Sequence, residues 1–223
     1  MEPYLTETHF HTSETSVCGK IPAAEGIALC RERGYAAVIV TDHYVQAFFA
    51  EREALSWQEK MDCWLNGYKA AKEAGDRLGV RVYLGMEWRY MAGPEDFLVY
   101  GITEEFLRET SELYRILPEE FAALCRKQGF FFAQAHPFRF NMRRLEPSYL
   151  QGVEVFNGNM RHDSHNDQAQ AFCRENGLVP LSGSDFHERD DIARGGIYLT
   201  ELPRNEAALA ELIAENRHSL RKS

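Results

Sequence analysis

Short apolar runs, many of them closing on histidine or a carboxylate, alternate along this chain with longer segments of helical period. Residues 4–11 form an extended run. A polar, turn-like stretch follows, and Pro22 opens a first helix with Gly34 near its end, a pairing that suits helix starts and stops. Residues 35–43, YAAVIVTDH, are apolar until the last three, the pattern of a strand buried on both faces. Leu55, Met61, Trp64, Leu65, Tyr68, Ala71 and Leu78 fall mostly at three- and four-residue spacings and predict one long helix over 50–78, with Trp57 and Trp64 packing. Extended runs follow at 80–90 and 97–102, and Gly93-Pro94 breaks the chain between them. Residues 103–118 read as an irregular, partly helical excursion with room for a lid. Pro118 starts a helix that ends at Gly129, and GFFFAQAHP then reads as a strand. An arginine-rich link with a short helix covers 139–150. A strand at 152–158, a helix at 166–177 capped by Gly177, a short strand in LVPLSGSDFH, a strand at 195–200 and a helix at 205–217 complete the pattern. The tail LRKS reads as frayed. Seven or eight apolar strands alternating with helices predict a parallel α/β barrel or a distorted relative of one.

Length and composition narrow the function class. The 223 residues suit one domain spanning 1–223. No run of eighteen apolar residues is present, so no membrane span is expected. MEPYLTE has neither a basic patch nor an apolar core, so no secretion signal is expected either. Cys18, Cys30, Cys63, Cys125 and Cys173 are odd in number and widely spaced, which suits reduced thiols in a cytoplasmic protein. The formal net charge of -9 argues against a general nucleic-acid coat. A small phosphorylated substrate stays open, because bound cations can supply local positive charge.

The histidines and acids share one kind of address. His9 and His11 end the first strand and, at period two, face the same way. Asp42 and His43 end the second strand, Glu87 lies near the end of the third, His136 ends GFFFAQA, and Asp185 and His187 follow PLSGS. In a barrel these strand ends converge on the face where active sites lie. Imidazole nitrogens with bridging carboxylates are the donor set of a polynuclear metal site, and Glu87 is the best bridging candidate. Arg139, just past a strand end, could hold phosphate in a fork. Arg143, Arg144 and Arg161 are further candidates, with surface placement as the alternative. Asn157 could orient a ligand, bind substrate or close the turn at Gly158. His162, His165 and His218 read as solvated, and Lys20 and Arg31 as surface charges. Phe10, Tyr44, Phe138 and Phe140 flank these positions, to stack on a base or to pack in core or rim.

Together the pieces Glu7-Thr8-His9-Phe10-His11-Thr12, Thr41-Asp42-His43, Gly85-Met86-Glu87, Ala135-His136-Pro137, Glu154-Val155-Phe156-Asn157 and Gly183-Ser184-Asp185-Phe186-His187 resemble the polymerase and histidinol phosphatase (PHP) family. The resemblance spans residues 5–200. It implies a distorted (β/α)7 barrel, two or three divalent ions (zinc, manganese or iron), and phosphoester hydrolysis by a metal-bound hydroxide. It places His9, His11, Glu87 and Asp185 on one ion, Glu87 and His136 on a second, and His43 and His187 at a third position. Three departures stand out. The family's opening Asp is Glu7. A ligand five residues after the second His is replaced by Ser16, with Cys18 nearby as a contributor or as a turn residue. A histidine before a short Leu-rich strand is replaced by Asp96, which can also ligate.

The expected function is therefore hydrolysis of a small phosphomonoester or phosphodiester: a nucleotide, an oligonucleotide end or a phosphorylated metabolite. Glu87 and Asp185 would carry the reaction, with His187 or His43 as acid or base if the third ion is absent. Two alternatives stay open: an amidohydrolase-like enzyme cleaving C–N or C–O bonds, and a metal-stabilised module without turnover.

Overall fold

The structure, a computed structural model, describes residues 3–222. In chain order it runs through β1 (Tyr4–Phe10), α1 (Ala23–Glu32), β2 (Ala37–Val40), β3 (His43–Tyr44) and α2 (Gln46–Ala50). Next come α3 (Trp57–Trp64), α4 (Asn66–Leu78), β4 (Arg81–Arg89), β5 (Asp96–Tyr100), α5 (Glu104–Glu109) and α6 (Pro118–Gln128). The last third holds β6 (Phe131–Gln134), β7 (Gly152–Asn157), α7 (Asn166–Glu175), β8 (Val179–Gly183), β9 (Ile197–Leu199), α8 (Glu206–Ala214) and β10 (His218–Leu220).

The strands form one sheet in the order β10-β9-β1-β2-β4-β5-β6-β7-β8, with β3 added on β4. Its ends meet. Thr8 Oγ1 donates to Ser182 O at 2.6 Å, and Phe10 and Phe186 bridge in parallel. Seven strands, β1, β2 and β4–β8, thus close a distorted α/β barrel as the sequence predicts. The distortion lies in β5, which runs antiparallel to both β4 and β6, and in the antiparallel β9–β10 ribbon beside β1.

Alternation along the strands sorts side chains into two cores. Val38 and Val40, Val82 and Leu84, Phe97 and Val99, and Val153 and Val155 face the helices. Ala37, Ile39, Tyr83, Leu98, Tyr100, Phe131 and Ala133 face the barrel interior and pack with Leu209, Ala210, Leu212 and Ile213 of α8. Helix α8 therefore plugs the barrel floor. Leu5 and Phe10 of β1 both join the outer core although they are five positions apart, an odd offset that strict alternation would put on opposite faces. The strand changes face once between them, where its register with β2 shifts between Glu7 and Phe10.

Three sequence expectations need correction. The helix predicted over 50–78 is two helices. Ser56 and Glu59 form a reciprocal capping box that starts α3 afresh. Thr15 then inserts its hydroxyl at the next break, donating to Trp64 O at 3.0 Å and accepting from Gly67 N at 3.1 Å. Residues 103–118 are packed down rather than poised as a lid: Leu107, Leu113 and Tyr114 are buried, and Trp57 Nε1 donates to Leu107 O at 3.0 Å. Of the tail LRKS, Leu220 pairs with Ile197 in β10 and Arg221 N donates to Gly196 O at 2.9 Å, so these two are not frayed; Ser223 lies outside the described residues. Among those residues no helix is long and apolar enough to cross a membrane.

If α8 closes the floor, Leu209→Ala leaves a cavity there. Urea unfolding should then show a loss of about 2–5 kcal/mol. An unchanged midpoint would mean that this helix does not complete the core.

Candidate metal centre

The site lies at the barrel mouth opposite α8 and is built around one carboxylate. Glu87 is fully buried near the end of β4. His9 Nε2 lies 3.2 Å and His136 Nε2 3.0 Å from its Oε1, while His43 Nδ1 lies 2.7 Å and His11 Nε2 3.4 Å from its Oε2. Asp185 adds a second acid, with Oδ1 3.4 Å from Nε2 of both His9 and His11. The structure thus brings together His9, His11, His43, Glu87, His136, Asp185 and His187. Asp96 joins them from an unexpected direction. It begins β5 instead of ending it, and reaches the same rim because that strand runs backwards; its Oδ2 is 3.9 Å from His136 Nε2.

Neighbouring groups aim the imidazoles. Glu154 Oε1 accepts from His9 Nδ1 at 2.9 Å. Ser16 Oγ donates to Asp42 at 2.7 Å, so it accepts from the His43 backbone N–H at 3.0 Å and from His11 Nδ1 at 3.2 Å. The carbonyl of Asp185 accepts from His187 Nδ1 at 2.9 Å. With each Nδ1 acting as donor, Nε2 of all three rings is left as a bare lone pair, the tautomer a metal ligand needs. His9 Nε2 and His11 Nε2 are buried without hydrogen-bond partners among the described residues. Leaving such atoms unpaired costs about 1–3 kcal/mol each, and divalent cations would satisfy them together. The nitrogen and carboxylate donor set fits zinc, manganese or iron.

Electrostatics point the same way. Burial opposes a charged His9, but Asp185, Glu154 and Glu87 outweigh it and hold the ring well above its usual range. Burial likewise opposes an ionised Glu87, yet His9 and His43 hold it well below the carboxylate range. The cage calls for positive charge. His11 goes the other way, lowered by burial and then by His187 and His43. Burial and the charge of Glu87 raise Asp96, against the opposing pull of Arg89, which forks onto both its oxygens at 2.7 Å.

The remaining predicted residues sort by place. Arg139 Nη2 donates to Asp185 Oδ2 at 2.6 Å and to Asn157 Oδ1 at 2.7 Å, and its Nε donates to Ser164. Asn157 Nδ2 donates to Glu154 Oε2 at 2.8 Å. Both side chains brace the acids from within. Arg161 stands on the rim, held by Asp191 at 2.8 Å. Arg143 and Arg144 line a separate groove. Phe10 and Tyr44 are core residues, Phe138 packs against the core under Arg144, and Phe140 stands exposed at the cavity edge. His162 and His165 line the cavity, whereas His218, on β10, is tied to Pro180 O of β8. The cavity, about 750 Å³, is lined by Cys18, Lys20, Arg89, Arg161 and the outer ligand positions.

Two features point to function without having been singled out from the sequence. His136 and Asp185 have φ of 28° and 52°, conformations uncommon for non-glycine residues, and both lie in the cage. Glu154 accepts from His136 N at 3.0 Å and so pins one of these strained residues. Its signal was an acid at an inward position of an otherwise apolar strand. Gly183 is required by close approach: a Cβ there would lie 2.5 Å from that of His9.

No family profile matches the chain, and no curated protein is similar to it. Solved structures are. A two-domain protein from Bacteroides vulgatus, described as containing a predicted PHP-like metal-dependent phosphoesterase, superposes with a TM-score of 0.67 at 16% identity. The match covers 98% of this chain and 64% of that protein, so this chain spans under two thirds of its length. The chain shares the fold of that PHP-like protein. PsfC from Pseudomonas syringae shares the architecture (TM-score 0.66, 17% identity, 100% of this chain and 93% of that one). So does an amidohydrolase from Chromobacterium violaceum with bound sulfate and no metal (0.57, 17%, 96% of each).

Glu7, two residues before His9, holds backbone rather than a ring. Its Oε1 accepts from the N–H groups of Thr8, His9 and Ser184 at 3.0, 3.1 and 2.8 Å, holding β1 where its register shifts. Burial pushes its carboxyl up to about 7, against those donors. The folded chain thus keeps this proton up to about 7, while the unfolded chain releases it near 4.5. The contribution is full below 4.5 and is lost as pH rises through 7, on the order of 3 kcal/mol. In metal-free protein, Glu7→Gln should flatten this fall when urea unfolding is compared at pH 5 and pH 8; an identical slope in both proteins would contradict the assignment.

Proposed function

We propose that this chain is a PHP-family metal-dependent phosphoesterase acting on a small phosphate monoester or diester. The observation that carries the reading is the buried cage around Glu87, whose bare imidazole nitrogens converge with Asp185 and Asp96 at the head of one cavity. His9, His11, Glu87 and Asp185 would hold one ion; Glu87, His136 and Asp96 a second; and His43 with His187 stand ready at the outer rim. Two or three divalent ions (zinc, manganese or iron) would supply Lewis acidity and a more acidic water at neutral pH. Protein groups do the rest. Glu154 fixes the His9 ring. Arg139 draws on Asp185 Oδ2, leaving Oδ1 to face His9 and His11. Arg89 holds Asp96 in the same manner. The cavity volume suits a small ligand. PHP-like phosphoesterases among the similar structures support this chemistry.

A second reading is an amidohydrolase-like hydrolase of C–N or C–O bonds. Two observations favour it: the similarity to the Chromobacterium violaceum amidohydrolase, and the fact that Arg89, Arg139 and Arg161 each already hold a carboxylate.

Protein loaded with manganese, zinc or iron separates the two. We expect hydrolysis of p-nitrophenyl phosphate or its bis-ester, with Glu87→Ala at least about 100-fold slower and depleted of metal while its circular dichroism is unchanged. Turnover confined to an amide or lactone panel would assign the second reading.

A further inference from the structure

Phe140 is the most exposed large apolar side chain among the described residues, at 90%, and it lines the same cavity as Glu87, His136 and Asp185. The loop that carries it is braced on both sides. Before it, Arg139 N donates to His136 O at 3.2 Å, and the Arg139 guanidinium is held by Asp185, Asn157 and Ser164. After it, Asn141 takes a left-handed φ of 66° and Met142 N donates to Arg139 O at 3.0 Å, closing a tight turn. Buried Gln134 then donates to Arg143 O at 2.6 Å and accepts from Leu145 N at 3.0 Å, and buried Glu95 accepts from Arg143 N at 3.1 Å. Phe138, two residues earlier, packs against Phe172 and the core. One ring of this braced loop is thus covered by protein, and the next stands in water at the cavity lip. Met142 also lines the cavity, whereas Lys20, Asn159, Arg161 and His162 make the rest of its rim polar.

We infer that Phe140 binds substrate, and that the leaving group of the ester carries a planar aromatic ring that lies on its face. This inference rests on the phosphoesterase reading above and names the substrate class for the same site: with the phosphate at the cage, the remainder of a small ester fills the cavity out to its lip. An exposed ring gains most from a flat partner, because two offset faces exclude water over a large area and their quadrupoles attract. Phe has only two torsions to fix, and its backbone is already held, so little freedom is lost when a ligand docks. A flexible aliphatic leaving group would cover less of that face and lose more freedom in doing so. The polar part of the rim then meets heteroatoms at the edges of the ring, as in other sites where an apolar wall supplies contact and a few polar groups supply orientation.

The test is calorimetric binding of two non-hydrolysable phosphonates of similar length, phenethylphosphonate and butylphosphonate, to the metal-loaded full chain. Wild type should bind the aromatic compound about 10-fold more tightly, the scale of one stacked ring. Phe140→Ala should lose most of that preference, Phe140→Trp should keep it, and Phe140→Leu, apolar but not flat, should not restore it. Because the ring is exposed, urea unfolding of Phe140→Ala should match wild type, which separates lost binding from lost folding. Equal affinity of wild type for the two phosphonates, or a preference that survives in Phe140→Ala, overturns the proposal and leaves the phosphoesterase reading standing. A preference restored in full by Phe140→Leu assigns the contact to apolar bulk and overturns the aromatic class. Binding of neither phosphonate, with turnover confined to amides or lactones, overturns the phosphoesterase reading itself and the aromatic ester with it.

Discussion

A fully buried carboxylate surrounded by imidazoles is costly to assemble, and most of the barrel mouth follows from meeting that cost. Glu87 has no access to water, so its charge must be met by groups within about 3 Å. Four histidines from three different segments supply them. The second acid, Asp185, doubles the demand, and Arg139 answers part of it from behind. What remains is a cage in which the buried acids call for more positive charge, and divalent cations suit such a place.

The same demand explains the strain around it. His136 and Asp185 sit at positive φ because their strands must turn sharply to aim side chains back over the mouth. Glu154 and Asn159 pin the two backbones, one accepting from His136 N and the other donating to Asp185 O at 3.1 Å. Asp42, in the position of a ligand by sequence, is instead a hub: it accepts from Thr12 N, Thr12 Oγ1 and Ser16 Oγ, each at 2.7 Å, and thereby orders the segment carrying His11. Rigid backing of this kind lets the ligand atoms keep their places without a cation to organise them.

Several of these features were legible in the residues alone. His9 and His11 flank the outward-facing Phe10, so period two was enough to put both rings inside. Apolar runs closing on Asp, Glu or His located Glu87, His136, Asp185 and His187, because a parallel barrel gathers strand ends on one face. Reduced, buried Cys30, Cys125 and Cys173 were equally plain. The break between α3 and α4 was not: it depends on the hydroxyl of Thr15, about fifty residues away, and no local pattern carries that contact. The capping box at Ser56 was local, and helical periodicity across it concealed it.

The residues themselves determined which side chains could bind cations and roughly where each strand stops, since hydrophobic period and donor chemistry are written position by position. Only the tertiary structure decided direction and partnership. Reversal of β5 carries Asp96 to the mouth, and the loop after β8 brings Ser184 N onto Glu7 Oε1, so that this acid serves as a backbone brace. Each depends on which strand lies beside which and in what register, a property of long-range pairing that no single segment contains.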